Sequence, residues 1–233
     1  MQPKFCFETD GKLYTFTTEV GEKYTVGGIE IVTLSRKDSL GFNVYSINEQ
    51  EIAILSENPV VFDGKTLKVE TEDSSYSIYT YPADVLSIPE NAAAEKKDVF
   101  GGYRVGVRAE PVVCDFAKVG VGRYTTEIPR EMLRGHKQVL LRVKYIGDIG
   151  HAFINGEMIS DNFANDGEWD IRLDCYAKQL EEHPLTIYIT PIKSGIVVDV
   201  SAMAGRIERV DGVKAELLSA KLILIDEIEI PNK

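Results

Sequence analysis

Apolar and polar residues alternate with a period of two along most of residues 4–90. Period two is the spacing of a strand with one buried face, and the Val, Ile, Thr and Tyr content favours strands. Turn-forming pairs such as Asp10-Gly11 and Asp63-Gly64 separate the alternating segments, and at most one short turn is expected at Lys37, Asp38 and the nearby Leu40. The pattern predicts an antiparallel sandwich or barrel. Its segments are KLYTFTTEV, YTVGGIEIVTLS, GFNVYSI, EIAILS, TLKVET and YSIYTY.

Residues 82–102 interrupt this rhythm. The run IPENAAAEKKDVFGG is polar and rich in small residues, which predicts a linker or a boundary loop between two domains. Strands are expected again from Tyr103 onward. We therefore predict an all-β chain with an antiparallel β-sandwich in residues 1–95 and a second β domain in residues 96–233. The later strand candidates are YRVGVRAEPVVCDF, GRYTTEIP, QVLLRVKYI, HAFING, EMISDNF, WDIRL, PLTIYITP and IVVDVSA.

Three local signals refine the second half. Asn155-Gly156 lies between alternating apolar residues and predicts a tight hairpin, because both turn positions need positive φ. Residues 129–135, PREMLRG, predict a short helical turn that ends at a glycine. The segment AELLSAKLILIDEIEIP fits a helix in part, but its last half alternates cleanly, so a strand over residues 221–230 is favoured.

Composition excludes some partners. The formal charge of −11 argues against nucleic acid, which needs a basic face, and no run approaches the about 20 apolar residues of a membrane helix. Cys6, Cys114 and Cys175 are odd in number and widely spread, which favours free, largely buried thiols and a cytoplasmic location. No signal peptide is visible. Met1 opens almost directly into strand-like sequence, as in the tail of a longer protein; a fragment of a secreted enzyme would be extracellular or periplasmic.

The order of the motifs resembles a known family. LRV-Y-GD-A-FING, DNF and W-I-L occur in turn between Leu141 and Leu173. This order resembles the C-terminal galactose-binding-like jelly roll of family 35 glycoside hydrolases, the β-galactosidase group. IVTLSRKDSL and the strands after it are similar to the β-sandwich that precedes that jelly roll. The resemblance spans most of the chain and implies a β-sandwich followed by a galactose-binding-like jelly roll.

The resemblance implies the accessory part of such an enzyme. The family's catalytic glutamates lie on a TIM barrel, and no βαβ pattern occurs in this chain, so no catalytic residue is transferred. The expected function is a non-catalytic module that supports the catalytic TIM-barrel domain, of the same or a separate chain, and contacts galactose-containing glycans. Two alternatives stay open: an independent carbohydrate-binding module or lectin, and a protein-interaction β-sandwich without a sugar role.

Candidate sugar-binding residues cluster around the hairpin. Trp169 offers an aromatic face, although its alternation with Ile171 and Leu173 is also typical of a core strand. Tyr145 flanks the preceding turn. The polar segment SDNFANDGEWD adds amides and carboxylates suited to sugar hydroxyls. The candidates for carbohydrate binding are Trp169, Tyr145, Asn162, Asn165 and Asp166.

The same polar segment suggests a cation site. Calcium prefers several oxygen ligands, and galactose-binding-like folds often hold a structural calcium. Asp161, Asp166 and Asp170 are the candidate ligands, although their spacing is not that of an EF-hand and a solvated turn is the simpler interpretation. No other cofactor is expected.

Overall fold

A computed structural model describes residues 4–9, 11–17, 19–26, 28–106, 110, 112–163, 167–193 and 212–231. The chain divides into two compact units, Met1–Ala109 with Glu227–Lys233, and Glu110–Asp226. Paired β-strands form most of the described residues, so the predicted all-β class is confirmed. Within the described residues, no helix is long and apolar enough to cross a membrane.

The first unit contains eleven strands and one short helix in its described residues. Most strands occur where alternation predicts them, and the expected short turn near Lys37 is a single turn of helix. The elements are β1 (Lys4–Thr9), β2 (Lys12–Thr17), β3 (Lys23–Val26), β4 (Ile29–Val32), α1 (Arg36–Ser39), β5 (Phe42–Ile47), β6 (Gln50–Ser56), β7 (Val60–Phe62), β8 (Leu67–Thr71), β9 (Tyr76–Tyr81), β10 (Ala92–Lys97) and β11 (Phe100–Val105).

Two sheets form the sandwich of the first unit. The larger has the order β10-β11-β9-β6-β5, and the smaller contains β7, β8 and the C-terminal end of the last strand of the chain. Side chains from both sheets share one core, including Ile54, Ile78 and Tyr103 from the larger sheet and Leu67 and Val69 from the smaller. Alternate residues of each strand thus close a sandwich, as the period of two predicts.

The predicted linker over residues 82–102 is wrong. β10 and β11 form a hairpin there, and β11 pairs with β9. Polar, alanine-rich sequence can form β10 because that strand is a sheet edge with charged side chains at Lys96 and Lys97. The first unit therefore extends past residue 95, and the chain returns to it at residues 227–233, where Ile230 enters the core.

The second unit holds the remaining elements. Its described strands are β12 (Val112–Val113), β13 (Ala117–Gly120), β14 (Arg123–Thr126), β15 (Gln138–Ile146), β16 (Ile149–Ile154), β17 (Glu157–Phe163), β18 (Trp169–Arg172), β19 (Leu185–Ile189), β20 (Ile192–Lys193), β21 (Val213–Lys214) and β22 (Glu216–Ile230), the last of which ends in the first unit. Its helices are the 3-10 turns Arg130–Leu133 and Asp174–Tyr176 and the α-helix α2 (Ala177–Glu182).

The second unit is also a two-sheet sandwich. One sheet has the order β13-β14-β19-β16-β17, and the other contains β18, β15 and β22, with β12 paired to β22. Their facing side chains form one core, which includes Ile187 and Ile154 from the five-stranded sheet and Leu141, Ile171 and Leu222 from the other. The five-stranded sheet consequently has one face in the core and a second face turned away from it.

Several local predictions are confirmed. Asn155 and Gly156 both have positive φ, 49° and 82°, at the turn between β16 and β17. The helical turn in residues 129–135 is present as a 3-10 turn, and residues 221–230 are a strand that begins earlier, at Glu216. The α2 helix has no counterpart among the predictions. The expected strand IVVDVSA lies outside the described residues.

The three cysteines are free, as expected, but Cys6 and Cys175 are exposed, so the prediction of largely buried thiols is wrong for them. Cys6 lies on β1, and Cys175 lies in the 3-10 turn Asp174–Tyr176. Cys114 is half-buried, and burial raises the pKa of its thiol to about 11. Cys114 therefore remains a protonated, weakly reactive thiol at neutral pH.

The core of the first unit contains a hydroxyl without a hydrogen bond to any described residue. Tyr103 is fully buried, its hydroxyl has no hydrogen-bond partner in the described part of the chain, and Tyr76 packs edge-on against its ring at 6.1 Å between ring centroids. Burial is the main cause of the raised pKa of Tyr103, and the neighbouring Tyr76 raises this pKa further.

Replacing Tyr103 with phenylalanine is expected to leave the free energy of unfolding unchanged or to raise it by up to about 1 kcal/mol, because an unpaired buried hydroxyl is removed. Urea unfolding measures this. In the matched Tyr124→Phe variant, the lost hydroxyl bonds the Ala215 carbonyl at 3.2 Å, so a loss of about 1 kcal/mol is expected. A loss in Tyr103→Phe as large as in Tyr124→Phe would contradict the prediction.

Candidate functional site

Trp169 lies in the core of the second unit. Its side chain is 5% exposed, packs against the Tyr145 ring with centroids 6.0 Å apart, and donates from Nε1 to Ser160 Oγ at 3.1 Å. Gly150 packs beside it, since a Cβ there would come within 2.8 Å of Trp169 Cζ3. The core interpretation of the alternation Trp169-Ile171-Leu173 is confirmed, and in this structure the indole has no open face for a sugar.

Tyr145 joins the two sheets of the second unit. Its hydroxyl donates to the Asn162 carbonyl at 2.7 Å and accepts from the Gly150 backbone at 3.0 Å and Asn162 Nδ2 at 3.1 Å. Burial raises the pKa of Tyr145, while the hydrogen bonds from Asn162 and Gly150 act in the opposite direction. Both side chains are thus already hydrogen-bonded on the inner side of β16 and β17, where they hold strands in place.

Two of the three predicted calcium ligands, Asp161 and Asp170, lie on different sheets of the second unit. Asp161 lies on β17, whereas Asp170 lies on β18 of the other sheet and accepts Arg142 Nε and Nη2, each at 2.8 Å. Asn165 and Asp166 lie outside the described residues. Within the described residues, no group of three His, Cys, Asp or Glu side chains is placed to hold a metal ion.

A different set of polar and aromatic residues lies on the outer face of the five-stranded sheet. Strand register aligns Arg123 of β14 with Tyr188 of β19, Tyr188 with His151 of β16, and His151 with Asp161 of β17. Directly opposed residues on neighbouring strands share one face. We call Arg123, Tyr188, His151 and Asp161 the cross-strand row; three strand spacings of about 4.8 Å make it roughly 14 Å long.

Aromatic rings form the centre of the cross-strand row. The His151 ring lies 6.0 Å from that of Tyr188, with 23° between the planes, and 6.2 Å from that of Phe153, with 29°. The Arg123 guanidinium carbon lies 5.5 Å from the Tyr188 ring centroid, in cation–π range. These half-buried rings form a continuous apolar surface with polar atoms beside it.

The two ends of the row carry opposite charges. Arg123 and Asp161 are exposed, and neither has a hydrogen bond or an ion pair with a described residue. Between them, Nδ1 of His151 is buried without a hydrogen-bond partner in the described structure. The neighbouring rings, rather than hydrogen bonds, therefore hold the imidazole, and the charged ends remain available to a ligand.

The first unit has an open pocket of about 410 Å³ beside β5 and β6. Its charged groups are already paired: Lys37 with Glu57 at 2.6 Å, and Lys97 with Asp38. The Lys97 hydrogen bond, opposed by burial, holds the pKa of Asp38 below its ordinary value. Because these charges satisfy one another, the pocket is a weaker candidate than the cross-strand row.

Arg123, Tyr188 and Phe153 are not among the site residues predicted from the sequence. The alternation in HAFI and TIYI indicates part of the row. It places His151, Phe153 and Tyr188 on the strand face opposite to the core residues Ala152 and Ile187. The missing information was strand order: nothing in the sequence says that β14, β19, β16 and β17 are neighbours.

Comparison with known proteins adds no relative: no family model, curated protein or solved structure matches the chain. The fold and the cross-strand row therefore carry the functional inference.

Proposed function

We propose that this chain is a non-catalytic β-sandwich module that binds a glycan on the outer face of the five-stranded sheet of its second unit. The observation that carries the proposal is the cross-strand row, in which the stacked rings of Tyr188 and His151 lie between a guanidinium and a carboxylate that have no partner among the described residues.

Sugars suit this combination of groups. A pyranose ring has an apolar C–H face that packs on an aromatic ring, and hydroxyls that both donate and accept hydrogen bonds. Asp161 accepts from hydroxyls, and Arg123 donates to them. An open face spread over four strands favours an extended oligosaccharide over a small molecule that needs an enclosing pocket.

The proposed setting is that of an accessory module in a β-galactosidase-like enzyme of glycoside hydrolase family 35. The motif order from Leu141 to Leu173 supports this setting, and so does an architecture of two consecutive β-sandwiches. In that setting the galactose-binding-like jelly roll would hold the glycan while a TIM-barrel domain cleaves it. An accessory sandwich needs no catalytic residue of its own.

Calorimetric titration of the full chain with galactan, arabinogalactan and galacturonan oligosaccharides tests the proposal. We expect at least one of them to bind, and Tyr188→Ala to weaken that binding about tenfold, which is about 1.4 kcal/mol for one lost aromatic contact. Phe42→Ala is the matched control, since Phe42 is an exposed aromatic residue on a strand of the first unit. It should leave binding unchanged.

Two results would overturn the proposal. One is the absence of binding to every oligosaccharide by a folded chain. The other is equal affinity in the wild type and Tyr188→Ala, since a glycan held elsewhere would not sense the loss of this ring. Circular dichroism of each variant establishes that the fold is intact.

A further inference from the structure

We propose that the glycan bound by the cross-strand row is acidic, and that Arg123 binds the carboxylate of a uronic acid unit. This inference rests on the proposed function and adds the class of ligand. The surroundings of Arg123 differ from those of the other described arginines in the second unit.

Arg123 is the unpaired arginine of the described part of the second unit. Arg142 pairs with Asp170, and Arg172 with Asp174. Arg134 pairs with Glu181, and Arg130 donates to the Glu181 carbonyl. Arg123 has no such partner, although it is held over the Tyr188 ring. Its guanidinium is therefore positioned by the ring, while its N–H donors bind no described residue.

A guanidinium with free donors selects a carboxylate. Its planar fork matches the two carboxylate oxygens, and a charge-assisted pair of this kind is stronger than a bond to a neutral hydroxyl. The aromatic surface beside Arg123 fits the ring that carries such a carboxylate, so charge and ring are recognised side by side. A uronic acid unit has both features.

Asp161 gives the row a direction. Its carboxylate, which has no partner among the described residues, repels an anionic group at the β17 end and accepts hydrogen bonds from hydroxyls there. The backbones of the two ends are separated by three strand spacings, roughly 14 Å, which is longer than one sugar unit, so different units of an oligosaccharide contact the two ends. We therefore place the acidic unit at Arg123 and a hydroxyl-presenting unit of the same oligosaccharide at Asp161.

Long-range electrostatic attraction does not account for the binding of an acidic glycan, because the chain itself carries a net charge of −11. A distributed field of this sign repels acidic glycans. Recognition must then depend on the local contact with Arg123. Added salt should weaken glycan binding only to the extent that it screens this single contact. Surfaces that bind an anionic polymer through many cations lose affinity much more steeply with salt.

The test compares an oligogalacturonide with its methyl ester, which keeps the shape and removes the charge, by calorimetry on the full chain. We expect the wild type to bind the acid at least about tenfold more tightly than the ester. Arg123→Gln should abolish this preference and leave the affinity for the ester within about twofold. Arg36→Gln, which removes an exposed arginine of the first unit, is the control and should retain the preference.

The outcomes separate the two proposals. Equal binding of acid and ester, with loss in Tyr188→Ala, would overturn the acidic ligand and keep the glycan-binding face. A preference for the acid that persists in Arg123→Gln would overturn the role of Arg123. Tighter binding of a sulfated galactan oligosaccharide than of the oligogalacturonide would overturn the carboxylate assignment. Failure of all these sugars to bind would overturn both proposals.

Discussion

Replacing Trp169 with alanine is expected to lower the free energy of unfolding by about 3–5 kcal/mol. The indole is 5% exposed and touches the Tyr145 ring, and its Nε1 donates to Ser160 Oγ. Truncation leaves a cavity and an unpaired hydroxyl in the core of the second unit. A chain of this size has only about 5–15 kcal/mol of stability, so the melting temperature should fall by roughly 6–20 °C.

Thermal and urea unfolding followed by far-UV circular dichroism measure this loss. Fluorescence does not serve, because Trp169 is the only tryptophan. Trp169→Phe is the control: it fills most of the space and should cost clearly less than the alanine variant. If Trp169→Ala kept its stability but lost affinity for a glycan, the indole would be a ligand contact and its assignment to the core would be wrong.

This prediction also decides how glycan-binding data on Trp169 should be interpreted. The sequence makes Trp169 an attractive sugar-stacking candidate, and a loss of binding in Trp169→Ala could be taken as support. Because the side chain lies in the core, the same loss would follow from partial unfolding. Tyr188→Ala avoids this ambiguity, since Tyr188 lies on the outer face and faces neither Trp169 nor Tyr145.

Strand alternation and turn chemistry predicted much of the fold. Asn155-Gly156 fixed a hairpin because its positive φ values are a local property. The residue period placed Ile171 and Trp169 on one buried face without knowledge of their partners. Such features depend on a few consecutive residues, which is why sequence alone was sufficient for them.

Features that depend on distant residues were missed. The hairpin of β10 and β11 forms because β9 provides a neighbour for β11, which overrides the weak strand propensity of Ala92 to Lys97. The return of residues 227–233 to the first unit is likewise a tertiary effect. The cross-strand row needs four strands in one order, so Arg123 and Tyr188 could not be paired from their positions in the sequence.

Replacing Gly102 with alanine is expected to lower the free energy of unfolding by about 3 kcal/mol or more. Gly102 lies on β11 opposite Tyr79 of β9. A Cβ at Gly102 would come within 2.0 Å of the Ile78 carbonyl oxygen and 2.6 Å of Tyr79 Cα. These are backbone atoms of the adjacent strand, so no side-chain rotation relieves the contact. β11 has paired neighbours on both sides, β10 and β9, and moving it weakens the hydrogen bonds of the sheet.

Gly106→Ala provides the matched comparison, because Gly106 follows β11 directly and a Cβ there meets no atom of the described residues within 4 Å. Its φ is outside the positive range, so alanine should be neutral or stabilise by up to about 1 kcal/mol through the unfolded chain. Urea unfolding of both variants measures the difference. Equal midpoints would mean that β9 and β11 can separate at little cost, which would contradict the close strand approach at Gly102 on which the expectation depends.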